Sequence, residues 1–443
     1  MTKGNILGNI TKFAIPCILT RIIQNLYPLI DSFIVGKLLS LDGLAAVGVA
    51  GSLYSLFNDT FSNLVLGFSI VVSKKYGAKN AQEVNSAFSN SFIASVIVSI
   101  VVSTLGIFFS SEMFSALNTP LHLIKYAQEY ITVLFLGFII NIIFNFLCEM
   151  LRAIGDSKTP LILLLISLLI HLISLFPLTA IYGIRGAALS TVISYIITVI
   201  LATFYIYKKY PEFRISLFKF KIHTNILKEC FEIGIPMALT SFVVALGVLV
   251  LSFITNNIGS EYIAAYSCAS KIGYIITTPI FGFSNALAVF TSQNFGAKNL
   301  KRIKEGIAKT IKFVLLLNVF IIILSLIFSK PILMFILDKS NIAVNAGMLY
   351  LFIRCFSMFL LTPAAIYKSV LPALGKPFFS TVSGFLEIGV RFVFPFLLSN
   401  KLGFSVVPLT DTFSWLFLAV LLTLAYFYEF KKIYKKGNIL YEK

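Results

Sequence analysis

A short sequence that occurs twice limits what this chain can fold into. Residues 76–80 read YGAKN, and residues 295–299 read FGAKN. Further matches recur at a similar spacing of roughly 220 residues: Ile15-Pro16 with Ile235-Pro236, 32–34 (SFI) with 252–254, and Leu151, Ala153 and Gly155 with Leu371, Ala373 and Gly375. A repeat of this length in a hydrophobic chain predicts two related lobes with a substrate path between them.

The composition places these lobes in a membrane. Hydrophobic residues make up 58% of the chain and charged residues only 12%, whereas about a quarter of a soluble domain is charged. The first apolar run, 13–36, is too long for a cleavable signal and is expected to remain as a membrane helix. The five cysteines stand singly, without metal-ligand or redox spacing.

Apolar runs long enough to cross a bilayer predict the fold class. We expect an all-α integral membrane protein with twelve transmembrane helices, in two homologous six-helix bundles related by a pseudo-two-fold axis along the membrane normal. The predicted helices are 13–36, 44–72, 91–110, 126–151, 160–182, 186–206, 230–255, 262–292, 313–328, 346–370, 379–399 and 408–428.

The basic residues predict the orientation. The net charge is +18, but Lys and Arg are distributed among the connections between apolar runs instead of forming one patch. This distribution argues against a nucleic-acid partner. Alternate connections hold roughly 25 basic residues against 6, so both termini are expected in the cytoplasm. The predicted domains are an amino-terminal lobe (1–206), a basic cytoplasmic linker (207–229), a carboxy-terminal lobe (230–428) and a cytoplasmic tail (429–443).

Several short motifs, in order and duplicated, carry a family resemblance. They are 31–36 (DSFIVG), the Gly-Ala turns after helices two and eight, 151–160 (LRAIGDSKTP) and 183–191 (GIRGAALST). With these the chain resembles the multidrug and toxic compound extrusion family of the flippase superfamily. The resemblance implies export of cationic or amphipathic compounds through a central cavity. We expect a monomer in a bacterial cytoplasmic membrane. Export would be driven by a Na⁺ or H⁺ gradient, and no cofactor would be needed.

Asp31 is the first candidate for ion coupling. A carboxylate inside a membrane helix costs about 2.5–3.5 kcal/mol on insertion scales and needs a partner or a function. The resemblance matches Asp31 to the family's first-helix acid, so Na⁺ or H⁺ could bind there. Steps of three and four residues predict one face for Arg21, Gln24, Pro28 and Asp31. Pro28 is predicted to bend this helix as a hinge.

A structural role for Asp31 remains as an alternative, although Arg21 would lie about 15 Å away along an unbroken helix. Gln24, Asn25 and Tyr27 are predicted to line the polar cavity.

In helix two, Asp59 is a second ion-coupling candidate. Asn58 and Asn63 could line the cavity with it or complete an oxygen cage for Na⁺. Alternatively, they could form interhelical hydrogen bonds.

His171 marks a departure from the family pattern. Many members carry an Asn there and an Asp four residues later, but this chain has His171 and Leu175. An imidazole that changes charge near neutral pH would suit proton coupling beside Asp31. A hydrogen-bonded packing histidine is the alternative.

In the second lobe, Glu387 and Arg391 have the favoured spacing and order for a helical ion pair, which we expect at the lobe surface. The basic residues Arg21, Lys271 and Arg354 would disfavour purely cationic substrates if they face the cavity.

Two other functions compete with export. An enzyme is disfavoured because the sequence holds no phosphate-binding loop, no His-Glu-x-x-His motif and no obvious nucleophile with a base. A flippase for lipid-linked oligosaccharide or peptidoglycan precursors shares the two-lobe architecture, and the basic residues keep it open.

Overall fold

The computed structural model describes residues 1–39, 41–116, 119–213, 222–256, 258–337 and 341–441, and in these ranges the regular structure is entirely helical. Short 3₁₀ turns occur at Pro211–Phe213 and Gly403–Ser405. The α-helices are α1 (Ile6–Leu38), α2 (Leu41–Gly77), α3 (Ala81–Phe108), α4 (Ser110–Ala116), α5 (Leu121–Leu136), α6 (Phe138–Ala153), α7 (Lys158–Tyr182), α8 (Ile184–Lys209), α9 (Thr224–Asn256), α10 (Ser260–Gly296), α11 (Leu300–Ile336), α12 (Asn341–Ala373), α13 (Phe378–Leu402) and α14 (Val406–Tyr441).

The described helices confirm the predicted membrane fold. Eleven are long and apolar enough to span a bilayer, and the bent pair α5 and α6 brings the number to twelve when it counts as one span. The predicted helix 126–151 is therefore not continuous, because it bends by 48° between Leu136 and Phe138. Gly137 lies at the bend, where a Cβ atom would stand 2.3 Å from the Val192 side chain of α8.

The helices extend well past their predicted ends. The predicted helix 313–328, for example, corresponds to the observed helix Leu300–Ile336. The added first turns carry Lys301, Arg302 and Lys304, which a count of apolar residues excludes although they are good helix formers.

The repeated sequence folds into a repeated turn. Lys79 and Lys298 occupy equivalent positions with φ angles of 59° and 56°. The Asn80 side chain caps α3 by accepting from the Glu83 backbone N–H, and the Asn299 side chain caps α11 in the same way. Each turn therefore ends one helix and begins the next with the same hydrogen bonds.

The chain divides into two compact units. The first unit is Leu19–Ala238, and the second unit combines Met1–Ile18 with Leu239–Lys443. These limits group segments by contact, whereas the predicted lobe limits follow sequence similarity. Residues 214–221 of the predicted linker 207–229 and residues 442–443 of the predicted tail lie outside the described residues.

Each unit has its own apolar core. In the first unit Phe68, Phe135 and Phe146 are fully buried. In the second unit Ile10 and Phe13 of α1 share a core with Phe290 of α10. The two segments of α1 on either side of residue 18 are thus assigned to different units.

Candidate functional site

Asp31 and His171 form a buried pair inside the first unit. Asp31 Oδ1 lies 2.8 Å from His171 Nε2, and the two residues are 6% and 0% exposed. Tyr130 of α5 is a further hydrogen-bond partner of the Asp31 carboxyl group. Three helices thus enclose a carboxyl group whose direct partner is an imidazole.

The other ring nitrogen of His171 faces Ser190. Ser190 Oγ lies 3.1 Å from His171 Nδ1 and 2.7 Å from the Ala187 carbonyl oxygen, to which it donates. Ser190 is fully buried near the start of α8. Ser190 was not predicted as a site residue, although it lies in the Gly-Ala-rich segment 183–191 that carries the family resemblance.

Tyr27 packs beside this pair. Its ring stacks on His171 with centroids 5.0 Å apart, and on Tyr195 at 6.4 Å. The Tyr27 hydroxyl donates to Ser167 Oγ at 3.0 Å. Because Tyr27 lies four residues before Asp31, both are on the face of α1 that packs inside the first unit. The stacked rings fix the imidazole plane.

The other candidates of α1 lie in a different environment. Arg21, Gln24 and Asn25 are exposed, although Gln24 is on nearly the same helical face as Asp31. Among the described side chains of the predicted common face, only Asp31 is buried. The helix is continuous through position 28, but the Pro28 side chain lies outside the described side chains, so the hinge stays a prediction.

Arg21 interacts electrostatically with Asp59 of α2. The Arg21 charge interacts with the Asp59 carboxylate, and Asn58 also hydrogen bonds to it. Asp59 is exposed near the middle of α2. A charged carboxylate at that position along a span requires water or a counter-charge.

Neighbouring amides belong to a hydrogen-bond network. Asn141 Nδ2 donates to Asn58 Oδ1 at 3.1 Å and to the Tyr54 hydroxyl at 2.7 Å. Asn63 Nδ2 donates to the Asp59 backbone carbonyl at 2.8 Å. Asn58 is thus tied to α6, and its side-chain oxygen already accepts a hydrogen bond.

The second unit holds a buried network of charges. Glu387 Oε1 lies 3.1 Å from Arg391 Nη1, but the pair is 4% and 5% exposed, so its predicted surface location is wrong. Burial is possible because Asp411 supplies a second carboxylate, 2.9 Å from Arg391 and 3.0 Å from Arg354. Lys368 completes the network 3.2 Å from Glu387.

Sequence reasoning missed Asp411, although the repeat contained a signal for this network. A shift of roughly 220 residues places Arg391 opposite His171, Gly247 opposite Tyr27, and Tyr350 opposite Tyr130. A Cβ on Gly247 would lie 2.6 Å from Arg391 Cδ. At the position equivalent to Tyr27 the second unit therefore has a glycine, which leaves space for the Arg391 side chain.

Chemically, the first unit offers a water-poor acid and imidazole in hydrogen-bond contact, which can hold or release a proton. Among the described residues, no three His, Cys, Asp or Glu side chains are grouped as a metal site. The second unit has a network of buried ion pairs at the equivalent position. The chain has two helical bundles with up to twelve candidate spans, and the first bundle holds a buried titratable pair. This arrangement defines the class of two-lobed membrane transporters.

The comparisons with known proteins agree with that class. The MatE family model matches residues 16–176 and again residues 236–397. The chain belongs to the MatE family, the multidrug and toxic compound extrusion transporters. It is similar to the probable multidrug resistance protein YoeA of Bacillus subtilis, with 27% identity over 450 residues that cover 99% of this chain and 96% of the relative.

A second relative and a solved structure extend the similarity. The multidrug export protein MepA of Staphylococcus aureus is 22% identical over 410 residues, covering 91% of this chain and 89% of MepA. A crystal structure of a MATE protein in its bent conformation superposes with a TM-score of 0.90 at 19% identity, covering 98% of both chains. That likeness concerns the fold.

Proposed function

We propose that this chain is a proton-driven antiporter that exports cationic or amphipathic compounds across the cytoplasmic membrane. The observation that carries the proposal is the buried contact of 2.8 Å between Asp31 and His171. The names of the multidrug relatives support export of drug-like compounds. Both termini are placed in the cytoplasm by the distribution of Lys and Arg.

The hydrogen bonds around His171 allow its protons to be counted. A serine hydroxyl has one hydrogen, and a carbonyl oxygen can only accept. The heavy-atom contacts fit two arrangements of the hydrogens. In the first, Ser190 gives its hydrogen to Ala187, at 2.7 Å, and accepts one from His171 Nδ1; in the second, Ser190 donates to Nδ1 and His171 donates from Nε2 to Asp31. With Nδ1 protonated, the contact from Nε2 to Asp31 needs a further hydrogen. The first arrangement thus carries one proton more than a carboxylate and a neutral imidazole, and the second does not.

Loss of that proton changes the hydrogen bonds. A carboxylate oxygen and an unprotonated Nε2 would face each other with lone pairs at 2.8 Å. Relief requires Asp31 to move away, or His171 to protonate Nε2 instead of Nδ1 while Ser190 turns its hydroxyl from Ala187 to Nδ1. Loss of the proton thereby changes the hydrogen bonds that join α1, α7 and α8.

The surroundings of the acids favour H⁺ over Na⁺ as the coupling ion. Sodium prefers several oxygen ligands, whereas Asp31 contacts the ring nitrogen of His171 and has the Tyr130 hydroxyl as its further partner. The oxygen cluster predicted near Asp59 is already used in part, because Asn58 Oδ1 accepts from Asn141.

In the proposed cycle, a proton and the exported compound stabilise different conformations of the transporter. Each can shift the equilibrium only by its difference in affinity for the two states. Protonation of the pair would be linked to bending of α1 at Pro28, and alternating access would release the compound outside.

The experiment is ethidium efflux from proteoliposomes with an imposed H⁺ or Na⁺ gradient. We expect the H⁺ gradient to drive efflux, Asp31→Asn to abolish it, and His171→Gln to reduce it at least tenfold. Asp42→Asn is the matched control, because Asp42 is an acid of the first unit with a side chain that is 56% exposed. It should transport like the parent protein.

Two outcomes would contradict the proposal. Efflux driven by Na⁺ alone would reject proton coupling. No efflux from correctly inserted parent protein would favour the second candidate, a flippase for lipid-linked precursors, which the exposed Lys271 would suit. Transfer of a fluorescent lipid-linked pyrophosphate between leaflets would then be measured.

A further inference from the structure

The second unit contains a cavity that the proposed proton site does not use. It has a volume of about 290 Å³ and opens between α9 and α10. The lining residues are Val248, Ser252, Thr255, Ile263, Tyr266, Ser267, Ser270, Lys271 and Tyr274. The cavity thus combines apolar walls with hydroxyl groups and one cationic side chain, and none of its lining residues carries a carboxylate.

Lys271 is the charged member of this cavity. It lies in the fourth turn of α10, where its side chain is exposed. No carboxylate of the described residues lies within ion-pair distance of its ammonium group. A lysine at this position in an apolar helix requires water or an anion.

A second cation lies behind the cavity wall. The Arg354 guanidinium is 5.4 Å from the ring of Tyr274, which itself lines the cavity. Arg354 belongs to the network in which three cations, including Arg391 and Lys368, face the two carboxylates of Glu387 and Asp411. The network keeps one positive charge in excess, which adds to the field of Lys271.

The remaining lining suits the apolar part of a ligand and the oxygens of its head group. Tyr274 is 48% exposed and offers a ring face. The hydroxyls of Tyr266 and Ser267 can donate hydrogen bonds to oxygen atoms. A planar or acyl group against the aromatic wall would place an anionic group at Lys271.

We propose that this cavity binds the carboxylate or phosphate group of an amphiphile, with Lys271 as its direct partner. The inference adds acidic and zwitterionic amphiphiles to the compounds that the transporter recognises. It does not depend on proton coupling at Asp31.

Binding can be read with the chain's own fluorophore. Trp415 is the single tryptophan, and it lies 5.1 Å from the same Arg354 guanidinium that contacts Tyr274. We would titrate purified protein in phosphatidylcholine nanodiscs with dansylglycine, a monoanion with an aromatic ring, and follow energy transfer from Trp415. Dansylglycinamide is the matched ligand without the carboxylate.

We expect saturable transfer with dansylglycine, and at least tenfold weaker binding of dansylglycinamide. Lys271→Gln should weaken dansylglycine binding at least tenfold, which corresponds to about 1.4 kcal/mol, whereas Lys271→Arg should retain it. Lys401→Gln removes an exposed lysine of α13 that does not line the cavity, so it should bind like the parent.

A second arm distinguishes two sources of the anionic group. If phosphatidylglycerol in the nanodisc displaces dansylglycine from the parent protein, a lipid head group occupies the site. If it does not, the site serves dissolved amphiphiles. Equal affinity of the parent and Lys271→Gln, or equal binding of the amide, would overturn the proposal. Ethidium efflux is measured separately, so failure of one proposal is distinguishable from failure of the other.

Discussion

Replacing Asp411 by asparagine should destabilise the second unit strongly. Asp411 accepts from Arg354 Nη1 at 3.0 Å and from Arg391 Nε and Nη2 at 3.2 and 2.9 Å. All three residues are less than 10% exposed. Asp411→Asn keeps the shape of the side chain but removes the charge on which both arginines depend.

The two arginines should be affected unequally. Arg391 would keep Glu387 at 3.1 Å, whereas Arg354 would keep the Tyr350 hydroxyl and its contacts with aromatic rings. Removing one partner of a buried ion pair costs about 3–5 kcal/mol. At 2–4 °C per kcal/mol for domains of 150–250 residues, the apparent melting temperature should fall by roughly 6–20 °C.

The chain provides its own reporter for this measurement. All five cysteines are free and buried, so a thiol-reactive fluorescent maleimide detects unfolding during a temperature ramp. Asp42→Asn is the control for losing an acid. The double variant Asp411→Asn/Arg354→Met should recover part of the loss because it removes the unpaired cation. A single variant that melts within 2 °C of the parent would refute this account of the network.

Three further predictions use the same melting assay. Gly137→Ala should cost about 1–3 kcal/mol by overpacking, since its Cβ would lie 2.3 Å from Val192, whereas Gly389→Ala, with nothing within 4 Å, should be nearly neutral. Lys79→Gly should gain up to about 1 kcal/mol because φ is 59° there; equal stabilisation by Lys79→Gln would show that charge and not backbone strain is responsible. Burial would raise the pKa of Asp156, but hydrogen bonds from Thr159 and Tyr210 and the charge of Lys209 hold that pKa below its ordinary value.

The sign of the Asp156 effect follows from its lowered pKa. Its contribution to stability is complete above the ordinary aspartate pKa of about 3.9 and is lost as the pH falls through the lower folded value. The parent should therefore melt above Asp156→Asn at pH 7, and the difference should shrink below about pH 4. A difference that is constant with pH would contradict this.

The fold was largely predictable because its signal is local. Each span can be recognised as a run of apolar residues, and the repeat divides the predicted spans into two sets of six. The break at Gly137 was not predictable in this way, because it accompanies close packing against Val192 of another helix. Capping explains the helix ends better than hydropathy does, as Asn80 and Asn299 show.

The candidate site was predictable in its residues but not in its pairing. Asp31 and His171 stand out because charged and titratable groups are rare in apolar helices. Their contact, and the place of Ser190 on the second ring nitrogen, depend on how α7 and α8 pack. Asp411 was not predicted, because an acid near a helix end is ordinarily solvated. Its burial depends on the contacts with Arg354 and Arg391, which the sequence does not show.

The division of the chain between the two units has a consequence for synthesis on the ribosome. Residues 1–18 belong with Leu239–Lys443, and the Met1 amino group donates to Gln293 while Arg302 donates to the Met1 carbonyl oxygen. At 5–20 residues per second, these partners emerge on the order of ten seconds or more after the amino-terminal segment. The start of α1 must therefore remain in the membrane without its partners from Leu239–Lys443 while the entire first unit is synthesised.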